Sequence, residues 1–89
     1  MFSKDDLAAA PEAIRNQVIQ IARQLGKDAR GLRTDQVIPA TGFLDSAGLI
    51  ELITWYETTY DLNISQDEFT IENFGTVDAM VRYLERSRA

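Results

Sequence analysis

Apolar residues recur at helical spacing in the first third of the chain, at steps of four, three and four. The residues of this stripe are Ile14, Val18, Ile21 and Leu25. Such spacing predicts the buried face of an α-helix. Pro11 suits the first position of this helix, and Gly26 suits the residue just beyond its end. We interpret residues 1–9 either as a short extra helix, capped by Ser3, or as a frayed end.

A second apolar stripe predicts a helix over residues 46–60. Its members are Leu49, Leu52, Ile53, Tyr56 and Tyr60. They fall on one face of a helix and leave polar residues on the other. A short helical turn is expected around residues 66–69. A last helix follows Thr76, which is a favoured capping residue. The inward positions of that helix are Val77, Met80, Val81 and Leu84.

Residues 26–45 form a long loop between the first two main helices, because Gly31, Pro39 and Gly42 interrupt regular structure. Loops longer than about 12–15 residues are unusual in compact domains and often carry function. The residues expected to anchor this loop in the core are Leu32, Val37, Ile38 and Leu44. No stretch alternates with period two. The sequence therefore predicts an all-α fold, a small four-helix bundle of three main helices and one short helix.

The composition is that of one small domain without catalytic side chains. The 89 residues suffice for a single domain, residues 1–89, and include neither Cys nor His. The side chains best suited to proton transfer and thiol attack at neutral pH are therefore missing, as are the usual zinc ligands. We expect a monomer that is not an enzyme and holds no metal.

Charge is segregated along the chain, whose net charge is −5. Residues 34–81 contain nine carboxylates and no Lys or Arg. Such a surface repels nucleic acid and anionic lipid and attracts basic protein surfaces, although a plain solvated face is the simpler interpretation. There is no apolar run of membrane-spanning length and no secretory signal at residues 1–6. We expect a cytoplasmic protein with protein partners, not nucleic acid or membrane.

Asp45 and Ser46 lie at the start of the second predicted helix, inside the acidic segment. Backbone N–H groups in the first turn of a helix lack intrahelical partners and carry partial positive charge, which favours a phosphate. A serine at this place suits a hydroxyl that carries a phosphodiester. Asp45 would cap the helix or position that hydroxyl, and Gly42 would allow the sharp turn before it. The simpler alternative is that Asp45 or Ser46 is only a helix cap.

The sequence over residues 42–84 resembles the acyl and peptidyl carrier protein family. Residues 42–46, Gly-Phe-Leu-Asp-Ser, are similar to the family's attachment sequence, and the stripe within residues 46–60 is similar to its second-helix core. The resemblance implies that Ser46 carries a 4′-phosphopantetheine arm, with Asp45 beside it. The arm would supply the thiol that the chain lacks and would hold an acyl group as a thioester.

The resemblance also implies a set of partners and a cargo. The partners would be a phosphopantetheinyl transferase, an adenylate-forming ligase that loads the cargo, and a downstream acyl acceptor enzyme. The sequence of residues 42–46 resembles that of stand-alone aminoacyl and D-alanyl carriers more closely than that of fatty-acid carriers, which favours an aminoacyl cargo. A fatty-acid, polyketide or nonribosomal-type acyl carrier is the alternative. The residues expected to bind partners are Ala47, Ile50, Glu51, Thr54 and Glu57.

Two residues depart from the family's pattern. Ala47 follows the serine, where a larger apolar residue is usual, and Gly48 stands where an acidic residue is common. Glycine in the first turn of a helix also costs up to about 1 kcal/mol of helix stability. We expect the two small residues to reduce the surface beside the arm.

Two other classes of function stay open. Residues 61–72 place oxygen-bearing side chains at several positions of an EF-hand calcium loop, but Gln66 stands where that loop needs glycine. Glu68 also stands where the loop is normally apolar. The other class is an adaptor domain that binds a partner non-covalently through its acidic face, in which Ser46 would be a cap only.

Overall fold

The computed structural model describes residues 4–88, and over this range it contains α-helices and one 3₁₀ helix but no strand. The helices are α1 (Lys4–Gln24), α2 (Ile38–Thr41), α3 (Ser46–Tyr60), the 3₁₀ helix (Gln66–Glu68), α4 (Ile71–Phe74) and α5 (Val77–Arg88). α1 packs against α3 and α5, and α4 packs against α5. The predicted all-α class is confirmed, and three long helices form the bundle.

The first helix is longer than the sequence predicts, because it runs without a break through Pro11. The prediction that residues 1–9 are a separate or frayed segment was wrong from residue 4 onward, and the Ser3 cap lies outside the described residues. A proline inside a helix removes one hydrogen bond and costs about 3 kcal/mol or more. Packing offsets that cost here: Ala10 is fully buried, and Leu7 packs against the core.

The end of α1 is set by Gly26, as predicted, with a backbone φ of 79°. The N–H of Lys27 donates to the Ala22 carbonyl at 2.8 Å, and the N–H of Gly26 donates to the Arg23 carbonyl at 3.0 Å. This pair of hydrogen bonds is the Schellman motif, which closes a helix around a left-handed glycine. Leu25 was predicted to be buried and is exposed, because it lies beyond the last helical residue, where the chain turns away.

The connection between α1 and α3 is held to the bundle on two sides. On one side, Arg15 of α1 donates from Nε to the Leu32 carbonyl at 2.8 Å, and its Nη2 donates to the Arg30 carbonyl. On the other side, two backbone hydrogen bonds join the connection to the region around α4 and α5. They run from Ile38 N–H to the Gly75 carbonyl (2.7 Å) and from Asp78 N–H to the Thr34 carbonyl (3.0 Å).

Most of the predicted anchors of this connection are confirmed. Leu32, Ile38 and Leu44 are buried in the core. Val37 was predicted to be an anchor and is exposed, because it precedes α2 in extended conformation while its neighbour Ile38 takes the buried position. Ala29 is an additional buried residue that the sequence pattern did not single out.

The core of the bundle is formed by the predicted stripes of α1, α3 and α5. In α3, Leu49 is half-buried and the rest of its stripe is buried, and Tyr56 donates its hydroxyl to the Met80 carbonyl of α5 at 2.8 Å. The predicted cap of α5 is confirmed, since the Ala79 N–H donates to Thr76 Oγ1 at 2.9 Å. None of the described helices has the length and apolar character needed to cross a membrane.

Candidate functional site

Ser46 is the first residue of α3 and is exposed to solvent. Asp45 is the cap of this helix: its Oδ1 accepts the Gly48 N–H at 2.7 Å, and its carbonyl accepts the Leu49 N–H at 2.9 Å. The Ser46 hydroxyl makes no hydrogen bond to any part of the chain that the structure describes. Asp45 therefore caps the helix, and the serine oxygen stays accessible at the positive end of a four-turn helix.

The turn that leads into Ser46 is held by side chains on both sides of it. Gly42 has a φ of 76°, a left-handed conformation that glycine adopts at little cost. Thr41 Oγ1 donates to the Ile38 carbonyl at 2.6 Å and accepts the Phe43 N–H at 3.2 Å. Lys27, from the end of α1, donates its Nζ to the Gly42 carbonyl at 2.7 Å. Lys27 was not predicted as a site residue, because only the folded chain brings it to this turn.

Gly48 lies in the first turn of α3 on the side that faces the core, and it is buried. A Cβ at this position would lie 3.3 Å from Ile21 Cγ2, Leu44 Cβ and Asp45 Oδ1. The expectation that Gly48 reduces the exposed surface beside Ser46 was therefore wrong. Its lack of a side chain lets the start of α3 approach α1 closely. Ala47, by contrast, is exposed beside the serine.

We predict that Gly48→Leu lowers the free energy of unfolding by about 1–3 kcal/mol, because the new side chain has no space between α1 and α3. The matched control is Ala47→Leu, which adds the same side chain one residue earlier on the exposed face. Urea unfolding followed by circular dichroism measures both. Equal stability of the two variants would contradict the close approach of α3 to α1.

The residues predicted to bind partners follow α3 away from Ser46, and the structure places most of them on its outer face. The exposed ones are Ala47, Ile50, Glu51 and Thr54. Glu57 is half-buried, and its Oε2 accepts the Ile64 N–H at 3.3 Å. Its carbonyl also accepts the Leu62 N–H at 2.9 Å. Glu57 therefore supports the turn after α3 in addition to carrying charge.

Large exposed apolar side chains lie on this face and next to it. Ile50, Phe69 and Ile71 keep 65%, 52% and 62% of their surface exposed. Phe69, Ile71 and residues of α3 line an apolar groove of about 140 Å³ between α3 and α4. Phe69 and Ile71 were not predicted as site residues. They are recognisable in the sequence, because both are large apolar residues within an acidic stretch and neither belongs to an apolar helical stripe.

Residues 61–72 adopt a different structure from that of a calcium loop. Glu68 Oε1 accepts hydrogen bonds from the Ser65 hydroxyl at 3.0 Å and the Tyr83 hydroxyl at 3.3 Å, and its carbonyl accepts from Asn73 Nδ2 at 2.8 Å. The 3₁₀ helix (residues 66–68) and the start of α4 (residues 71 and 72) interrupt the segment. Over residues 4–88, no three acidic side chains are grouped so that they would hold a metal ion.

Comparison with known proteins finds a relative whose similarity covers the candidate site. No protein-family model matches the chain. An acyl carrier protein from Onion yellows phytoplasma (strain OY-M) is 36% identical over 67 residues, which are 75% of this chain and 86% of that protein. A segment of that length in this chain includes Ser46 wherever it begins. The similarity therefore covers the candidate site and most of the bundle around it.

Proposed function

The chain belongs to the acyl carrier protein family and is a non-catalytic acyl carrier, and from that premise we propose that it holds its cargo on a 4′-phosphopantetheine arm attached to Ser46. The observation that carries the proposal is the accessible Ser46 hydroxyl at the start of α3. Asp45 and not Ser46 caps the helix, so the serine oxygen can be esterified without loss of the cap.

The surroundings of Ser46 suit a phosphodiester. The N–H groups of Ser46 and Ala47 come before the first intrahelical hydrogen bond and make none with the described residues. They and the helix dipole favour an anion on the serine oxygen. In the attachment step, Ser46 Oγ would form a bond to the phosphorus of coenzyme A that carries pantetheine. The diphosphate bond of coenzyme A would break, adenosine 3′,5′-bisphosphate would leave, and the serine proton would pass to the transferase.

The outer face of α3 and the apolar side chains beside it are the proposed docking surface for partner enzymes. Glu51 is exposed and Glu57 half-exposed on this face, and they would attract basic patches on a transferase, a loading ligase and an acceptor. Charges at the rim of an interface mainly raise association rates. Ile50 and Ile71 supply the apolar area that a specific contact needs. Such an interface forms quickly and also releases, as a carrier that visits several enzymes requires.

The size of the groove between α3 and α4 favours a small cargo such as an aminoacyl group. Its volume of about 140 Å³ is well below the roughly 300 Å³ at which ligand-binding clefts begin. A short or polar group on the arm does not depend on burial, whereas a long hydrocarbon chain does. A fatty-acid, polyketide or nonribosomal-type carrier is the second candidate. The apolar lining of the same groove, which includes Leu52 and Phe69, favours it.

Intact-mass analysis tests the proposal. Incubation with coenzyme A and a phosphopantetheinyl transferase should add the mass of one phosphopantetheine group, and peptide mapping should locate that group on Ser46. Protein purified from its native host should carry an aminoacyl group, released by hydroxylamine as expected for a thioester. If the arm carries a fatty acyl group instead, the aminoacyl cargo is refuted in favour of the second candidate. A serine that stays bare in native material would overturn the attachment itself.

A further inference from the structure

A second groove lies between the end of α1 and the residues that follow it. Its volume is about 330 Å³, within the range of about 300–1,000 Å³ typical of ligand-binding clefts. The residues that line it are Ile19, Arg23, Lys27, Asp28, Ala29 and Arg30. Neither the attachment at Ser46 nor the docking surface on α3 uses this groove. It is more than twice the volume of the apolar groove between α3 and α4.

The groove is cationic, on a protein whose net charge is −5. Asp28 and Arg30 form an exposed ion pair at 2.8 Å and offset each other's charge. The hydrogen bonds from Arg30 hold the pKa of the Asp28 carboxyl well below its ordinary value, so the pair stays ionised. The guanidinium of Arg23 makes no hydrogen bond or ion pair with residues 4–88. Lys27 uses one of its three N–H groups on the Gly42 carbonyl. Asp28 and Arg30 offset each other, so Arg23 and Lys27 give the groove its net positive charge, and the charge of Arg23 also acts on Asp28.

The groove also adjoins the start of α3. Lys27, which lines it, contacts the Gly42 carbonyl in the turn that leads into Ser46. The side chain of Lys27 therefore connects the wall of the groove to the turn that precedes α3. A flexible chain on Ser46 starts only four residues beyond that contact.

We propose that this cationic groove is the resting site of the phosphopantetheine arm, with Arg23 and Lys27 as the residues that hold it. The inference rests on the attachment of the arm to Ser46. The arm is polar along its length: it carries an anionic phosphodiester, a hydroxyl and two amides. Lys27 would hold the phosphodiester, since it contacts the turn before Ser46. Arg23, which also lines the groove, would donate its N–H groups to the carbonyl groups of the amides.

The two grooves differ in the part of the loaded arm that they suit. The groove between α3 and α4 is lined mainly by apolar residues, among them Leu52, Phe69 and Ile71. Polar amides placed there would lose water without gaining hydrogen bonds, which is unfavourable. The cationic groove offers donors to those amides and to the phosphodiester. Because its charged side chains are exposed, the contact is weak and screened by salt, which lets a partner enzyme withdraw the arm.

Nuclear magnetic resonance of the protein labelled with ¹⁵N, before and after attachment of the arm, tests the inference. Attachment should shift the backbone amide signals of Arg23, Lys27, Ala29 and Arg30 in addition to those next to Ser46. In Arg23→Gln/Lys27→Gln, the same comparison should show the shifts near Ser46 and none in the groove. The matched control is Arg33→Gln, since Arg33 is paired with Asp35 and does not line the groove. It should keep the full set of shifts.

The outcomes separate this inference from the proposed function. A protein that gains no mass with coenzyme A and a transferase would refute the attachment to Ser46. A protein that gains the mass but shows shifts only around Ser46, or in the apolar groove at Leu52 and Phe69, would refute the resting site alone. The mass and chemical-shift measurements on the unsubstituted protein are enough to distinguish these results. The test therefore holds even if a variant fails to fold.

Discussion

Ser46→Ala should abolish attachment of the phosphopantetheine arm and leave the bundle folded. Alanine offers no oxygen for the phosphodiester, so no partial modification at this position is expected. The fold should survive because the hydroxyl makes no hydrogen bond with residues 4–88 and Asp45 provides the cap. Alanine is also the best helix former at an exposed helical position. Intact-mass analysis measures the first effect, and circular dichroism with urea unfolding measures the second.

The matched control for this variant is Ser65→Ala, which removes another exposed serine hydroxyl, one that donates to Glu68 at 3.0 Å. It should be modified to the same extent as the unsubstituted protein. The result also separates a carrier from the adaptor alternative. An adaptor would bind its partner equally well with Ser46→Ala, whereas a carrier loses all transferable cargo. Modification of the Ser46→Ala variant at another residue would refute the assignment of the site.

The long helices follow from the sequence because their stability depends on local pattern and burial together. The apolar stripe of α3 predicts its limits at residues 46 and 60, and both limits are observed. Gly26 ends α1 as predicted, since its left-handed conformation is a local property. The start of α1 was not predicted correctly from the sequence. Pro11 is a local signal to begin a helix, and burial of Ala10 against the rest of the bundle overrides it.

The short helices α2 and α4 were not predicted, because each has four residues and no periodic pattern. Contacts made only in the folded chain hold them. Ile38, the first residue of α2, donates its N–H to the Gly75 carbonyl at 2.7 Å. Thr70 caps α4 by accepting the Asn73 N–H at 3.2 Å. A threonine cap is a recognisable local signal, but a helix this short is stable only through its tertiary contacts.

The residues of the candidate site also divide into those that the local sequence predicts and those whose position depends on tertiary packing. Asp45 and Ser46 were predicted from the sequence, because a cap and the residue after it are defined by the start of the helix. Gly48 was noticed but placed wrongly at the surface, since its close contact with Ile21 depends on how α1 crosses α3. Lys27 was missed for the same reason. The local sequence thus predicts the attachment residue, and tertiary packing decides what surrounds it.

Tyr56→Ala should have the largest effect on stability of any single substitution in α3, about 3–5 kcal/mol, as for other large aromatic residues in cores. Tyr56 is fully buried. Its ring lies edge-on to Tyr60 and Phe74, with centroid distances of 5.6 and 5.7 Å, and its hydroxyl donates to the Met80 carbonyl. Because small domains are stable by only about 5–15 kcal/mol, this variant should lose a large share of its stability. Urea unfolding followed by Trp55 fluorescence measures the loss.

Tyr56→Phe is the matched control, since it keeps the ring and removes only the hydroxyl. It should cost about 1 kcal/mol or somewhat more, because the Met80 carbonyl loses its buried donor.

The two variants also differ from the unsubstituted protein in how their stability depends on pH in alkali. Burial raises the pKa of the Tyr56 hydroxyl above its ordinary value of about 10. The folded state therefore keeps a proton that the unfolded state releases, so stability is complete below about pH 10 and falls as the pH rises further.

Tyr56→Phe should lose less stability between neutral pH and pH 11 than the unsubstituted protein does. The difference should be partial, since burial also raises the pKa values of Tyr60 and Tyr83, which both variants retain. Equal alkaline losses in the two proteins would mean that the Tyr56 hydroxyl reaches water. α3 would then be less firmly held to α5 than the hydrogen bond to Met80 indicates. Since Ser46 is carried on α3, the same measurement tests how rigidly the bundle presents its attachment site.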